Sequence, residues 1–117
     1  MSKRAVGDAA ERRALAALRD AGYEIVERNV RFRIGELDIV AWDRGVFVFI
    51  EVRSRASARY GGGADAVTVA KQRQVVRVAQ AYLASRRIEP APRGLRFDVV
   101  AITGEDVVIL RDAFRAG

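Results

Sequence analysis

A chain of 117 residues is long enough for one domain with a real core and too short for two; half its residues are apolar and two are proline, which excludes a disordered chain. Its 21 Lys and Arg against 15 Asp and Glu leave a charge of +6, carried almost wholly by arginine, since Lys3 and Lys71 are the two lysines. The absence of cysteine and histidine excludes thiol chemistry, disulfides, Cys/His zinc sites and a histidine general base, so catalysis would run on carboxylates, Arg or Lys, and metal.

Arginine presents a planar fork that suits phosphate oxygens, and its excess points to a nucleic-acid partner. The plainer alternative is an arginine-rich surface on an interaction protein of another kind. The N-terminus, Met1-Ser2-Lys3-Arg4, leads into alternating charge, not a signal-peptide core, and no apolar run reaches the length of a membrane span. A cytoplasmic protein with no membrane partner is the expectation.

From Val6 to Ala21 the residues Ala10, Ala14, Leu15, Leu18 and Ala21 recur at helical spacing, with Glu11, Arg12, Arg13 and Arg19 between them and Gly22 as the stop. Three strand-like segments follow. Tyr23 to Arg33 alternates around a polar break at Arg28-Asn29, Glu36 to Trp42 is the second, and Val46 to Val52 is so continuously apolar that it reads as a central strand covered on both faces. Asp43-Arg44-Gly45 is a hairpin turn signal. Ser54 to Asp65, with Gly61 to Gly63, reads as a mobile loop rather than a phosphate cradle. Thr68 is placed to cap a second helix whose apolar stripe would be Val69, Gln72, Val76, Ala79 and Leu83, with Lys71, Arg73 and Arg77 on its other faces. After Glu89 to Gly94, the segments Leu95 to Thr103 and Val107 to Leu110 form two more strands around a Gly104-Glu105-Asp106 turn. The order α-β-β-β-α-β-β predicts one α/β domain over residues 1–117, a mixed sheet flanked by helices.

Strand residues alternate faces, so Glu36 and Asp38 are expected on one side of the second strand and Glu51 and Arg53 on one side of the third. Acids and a cation at the end of a hairpin make a site for a hard metal such as Mg²⁺ or Mn²⁺. In a basic chain that site points to phosphodiester chemistry. Asp38 and Glu51 are the candidate direct ligands, with the Val52 carbonyl as a third oxygen. Glu36 is a ligand or an outer acceptor, Glu11 reaches in from the first helix, and Arg53 orients water or stabilises phosphoryl charge. The plain reading is that each acid is an exposed strand carboxylate paired with an arginine. Glu51 weighs against it, because it lies in the most apolar stretch, where an unpaired acid is expensive. Arg53, Arg55, Lys71, Gln72, Arg73 and Arg77 are the candidate nucleic-acid contacts, Lys71 being equally an ordinary solvated residue. Arg96 with Asp98 is assigned a structural role. Trp42 and Tyr60 are aromatic enough to stack on bases, with packing preferred for Trp42.

The helix Gly7 to Gly22 with Glu11, Tyr23, Arg28-Asn29, Gly35-Glu36-Leu37-Asp38, Phe49-Ile50-Glu51-Val52-Arg53, Arg55, Lys71-Gln72, Ala81-Tyr82-Leu83 and Arg96-Phe97-Asp98-Val99-Val100 form an ordered set of matches along nearly the whole chain. This pattern resembles the YraN-like family of small bacterial proteins, which belongs to the PD-(D/E)XK restriction-endonuclease-like superfamily and is similar to archaeal Holliday-junction resolvases. The resemblance implies an αβββαβ nuclease core. It puts Asp38 and Glu51 on the metal-binding acids, Glu11 on the acid of the first helix, and Arg53 on the catalytic lysine. Arginine stays protonated where lysine exchanges a proton. Two functions are therefore expected: a Mg²⁺-dependent endonuclease with DNA favoured, or a catalytically inactive nucleic-acid-binding module on the same scaffold. A homodimer is expected by analogy with the resolvases.

Overall fold

The computed structural model describes residues 3–55 and 67–116, with side chains for 7–54 and 67–116. Its elements are α1 (Lys3–Asp20), β1 (Glu24–Phe32), β2 (Gly35–Asp43), β3 (Val46–Arg55), α2 (Val69–Ser85), β4 (Gly94–Thr103) and β5 (Asp106–Phe114). The order is the one that periodicity predicts, and it is consistent with an αβββαβ core followed by one more strand. The side chains of Arg55 and Tyr60 and the Gly61–Gly63 run lie outside the described residues.

The five strands lie in sequence order, β1 to β5, with β3 and β4 parallel and every other pair antiparallel. The parallel pair needs a crossover, and α2 supplies it. β3 is apolar throughout because each face has its own layer. Phe47 and Phe49 pack under α2 with Val75, Val78 and Tyr82, while Val48 and Ile50 pack under α1 with Ala14, Leu15 and Leu18. The β2–β3 hairpin closes on Arg44 and Gly45, both at positive φ (53° and 85°), as a two-residue turn of the right twist requires.

Two sequence expectations are corrected. The buried stripe of α2 is Val75, Val78, Ala79 and Tyr82, and Val69 is 60% exposed. Apolar residues stand side by side at 75–76, 78–79 and 82–83, so α2 offers two adjacent stripes, and the aromatic rings of β3 select the one carrying Tyr82. β5 runs to Phe114 instead of stopping at Leu110. Arg111-Asp112 reads as a polar end, but Asp112 is a bulge residue at φ 54°, and beyond it Phe114 stacks on Phe97 with centroids 5.1 Å apart.

At the end of the sheet near the β2–β3 turn, Arg96 is the hub of a buried polar network. It donates to both oxygens of fully buried Asp98 (2.8 Å each) and to Asp43 (2.7 Å), and Tyr23 donates to Asp98 at 2.7 Å. Every member is paired, so burial of these charges is tolerated, and the structural role expected of Arg96 and Asp98 holds. Trp42 packs edge-on against Phe47, as preferred. No helix among the described residues is long and apolar enough to cross a membrane.

Candidate functional site

The β2–β3 ladder is paired from the turn up to Ile39 opposite Ile50, and there it stops. The next positions on each strand are Asp38 and Glu51, and their side chains replace the missing backbone bonds. Asp38 Oδ2 accepts the Val52 N–H at 2.8 Å, and Glu51 Oε2 accepts the Asp38 N–H at 3.4 Å. The two carboxylates are thus clasped between diverging strands, and Glu51 is only 2% exposed.

The same place breaks the alternation assumed from sequence. Leu37 and Ile39 should share a face, yet Leu37 is buried in the α2 layer and Ile39 in the α1 layer. β2 changes face at Asp38. Even so, Glu36 and Asp38 open onto one cleft, as expected. That cleft, about 520 Å³, lies on the α1 side and is lined by Asp8, Glu11, Asn29, Arg31, Glu36, Asp38, Val52 and Arg53. A second groove of about 590 Å³, between α2 and β4–β5 near Leu83, Leu95 and Phe97, is apolar and away from the acid pair.

Two cations reach Glu51 from different elements. Arg53 Nη2 is 3.6 Å and Lys71 Nζ 3.8 Å from its Oε1. Lys71 lies in the first turn of α2, where its backbone N–H is held by the Thr68 hydroxyl at 3.1 Å. Burial, reinforced by the Asp38 carboxylate, pushes the Glu51 carboxyl up to about 7 against the pull of Lys71 and Arg53. Burial also raises Asp38, opposed by the Val52 N–H and by the same two cations.

The remaining candidates are dispersed. Glu11 accepts from Asn29 Nδ2 at 3.1 Å on the cleft wall, and Glu36 pairs with Arg31 at 3.5 Å in solvent. Among the described residues no group of three or more acids is gathered to hold a metal, so the structure brings together Asp38 and Glu51 but leaves Glu11 and Glu36 at the rim. Gln72 donates to the Val67 carbonyl at 2.9 Å and tethers the start of α2. Arg73 and Arg77 are exposed on the outer side of α2 beside Arg115, outside the cleft lining. Asn29, on the cleft wall, is not among the residues the sequence marks as a site; the signal for it is an asparagine at a polar break inside an otherwise alternating strand. The contact of Lys71 with Glu51, 20 positions away in sequence, carries no local signal.

A family model described as "Uncharacterised protein family UPF0102" matches residues 10–102. The chain is similar to a UPF0102 protein of Symbiobacterium thermophilum, 52% identical over 102 residues covering 87% of this chain and 84% of the relative. It is also similar to one from Methylibium petroleiphilum, 49% identical over 99% of this chain and 98% of the relative. One from Burkholderia mallei is 47% identical over 98% and 78%.

Proposed function

We propose that this chain, which belongs to the uncharacterised protein family UPF0102, is a metal-dependent phosphodiester hydrolase acting on nucleic acid, with DNA as the first substrate to test. The observation that carries this reading is the Asp38–Glu51 pair, two carboxylates clasped through each other's strand, Asp38 half-buried and Glu51 buried, where their charges repel. Such an arrangement is unfavourable by itself, and a divalent cation relieves it. The donors fit Mg²⁺ or Mn²⁺: oxygen only, two acids, beside a cleft that admits the water Mg²⁺ keeps.

Asp38 and Glu51 would hold the cation, which when bound supplies charge neutralisation of a phosphoryl group and a more acidic water. The other roles belong to the chain. Arg53 and Lys71 place two positive charges beside Glu51, where phosphoryl charge would accumulate, and only Lys71 among them is able to exchange a proton. Lys71 thus offers from α2 what the position of Arg53 lacks. Exposed Arg73 and Arg77 extend positive charge along α2 for the flanking phosphates.

The test is cleavage of junction, flap, single-stranded and duplex DNA with Mg²⁺ or Mn²⁺. Asp38→Asn and Glu51→Gln should each lower the rate by roughly 100-fold or more while DNA binding persists. Wild-type protein that cuts none of these substrates overturns the nuclease reading. A second reading, a binding module without turnover, is favoured by Arg53 in the lysine position. It predicts salt-sensitive DNA binding that needs no metal, and cleavage gained on Arg53→Lys.

A further inference from the structure

β1 passes the acid pair with one residue in the left-handed region, Asn29 at φ 54°. Arg28 pairs with Ile39 and Val30 with Leu37, so Asn29 stands opposite Asp38. Both strands change face at this point. In an alternating strand, residues three apart face opposite sides. Here Leu37 and Val40 are both buried in the α2 layer, while on β1 Glu27 accepts from Tyr82 of α2 and Val30, three residues on, is buried in that same layer. The physical reason is the tip of the hairpin: Val30, Phe32 and Leu37 are apolar and α2 lies over them, so without the change of face they would line the polar cleft.

The change has two effects on the cleft. It takes Asp38 out of the ladder, leaving its carboxylate to meet the Val52 N–H, and it turns the Asn29 amide onto Glu11 Oε1 of α1 at 3.1 Å. We propose that Asn29 is a positioning residue of the acidic cleft: its left-handed backbone sets the face change that delivers Asp38, and its amide holds Glu11 over the same cleft. The residue type fits both tasks. Few non-glycine residues adopt this φ readily, asparagine among them. Glycine would supply the backbone without the amide, aspartate would set a carboxylate against Glu11, and valine would supply neither.

This proposal rests on the cleft being a cation and phosphodiester site, and the experiment separates the two. Mn²⁺ binding to the intact protein is titrated by calorimetry alongside thermal melting and DNA cleavage. Asn29→Val should weaken Mn²⁺ about tenfold, because Asp38 is misplaced. Asn29→Gly, which keeps the backbone, should hold Mn²⁺ affinity within about twofold but lose about tenfold in cleavage. Glu11→Ala should lose the same, and the double variant should be no worse than either single one. Wild-type Mn²⁺ affinity in a folded Asn29→Val, undiminished cleavage in Asn29→Gly, or losses that multiply in the double variant would each overturn the proposal while leaving the cleft's function intact. A wild-type protein that neither binds Mn²⁺ nor cuts overturns the reading of the cleft and the proposal with it.

Discussion

Glu51 sits at the end of an apolar run, within reach of Asp38, Arg53 and Lys71, and its carboxyl is raised to about 7 by burial. A carboxyl raised on folding makes the folded state bind protons more tightly than the unfolded chain. Its contribution to stability is full below about 4.5 and is lost as pH rises through about 7. In EDTA, wild-type Tm should therefore fall between pH 5.5 and 8.5 relative to Glu51→Gln, by at least about 4 °C, the equivalent of roughly 1 kcal/mol. Added Mg²⁺ should recover that loss in the wild type and leave Glu51→Gln unchanged. Equal pH profiles would show that Glu51 is not held in an unfavourable ionised state. Glu51 itself was legible in sequence, because an acid inside Val46–Val52 is out of place. Its second cation was not: Lys71 reaches it only because the crossover returns α2 over the end of β3.

Among the elements, α2 carries the most precise local information and the most misleading. Thr68 caps it as expected, accepting the Lys71 N–H, and so orients the turn from which Lys71 extends. Thr68→Ala should cost about 1 kcal/mol, a drop of roughly 4 °C in Tm. It should also lower cleavage, since a frayed first turn no longer holds Lys71 beside Glu51; an unchanged rate would detach Lys71 from the chemistry. The choice of buried stripe was hidden, because paired apolar residues let either adjacent face serve, and Phe47 and Phe49 decide it from another element. The β1–β2 hairpin is the reverse case. Its alternation is interrupted in sequence only by the polar break at Arg28-Asn29, yet Asn29 and Asp38 reverse its face, since the tip must be covered by α2 and period-two patterning carries no record of that helix.

Across the whole molecule two polar clusters of the sheet hold charge in opposite ways. In one, Arg96, Asp98, Asp43 and Tyr23 form a closed network that joins β2, β4 and the residue before β1. In the other, Asp38 lines a cleft, Glu51 is buried beside it, and both are held with their charges raised in energy. Asp98→Ala should lose about 3–5 kcal/mol in urea unfolding, because it leaves Arg96 with Asp43 as its one acid and takes the acceptor from the buried Tyr23 hydroxyl and the Asp112 N–H. Arg111→Ala, whose side chain is 46% exposed beside Asp43, should lose no more than about 1 kcal/mol. Comparable losses would mean that the network is not organised around Asp98.

The sequence by itself determined the element order, the central strand, the hairpin turn, the helix cap and the pairing of Asp38 with Glu51. These are set by short-range signals: hydrophobic period, φ preference and the cost of an acid in an apolar run. Tertiary structure alone decided which stripe of α2 is buried, that the hairpin reverses face at Asn29 and Asp38, and that Lys71 rather than a neighbour on β3 provides a lysine at Glu51. Each of these depends on what another element places across the interface, and a packing partner distant in the chain leaves no periodic trace in the segment it shapes.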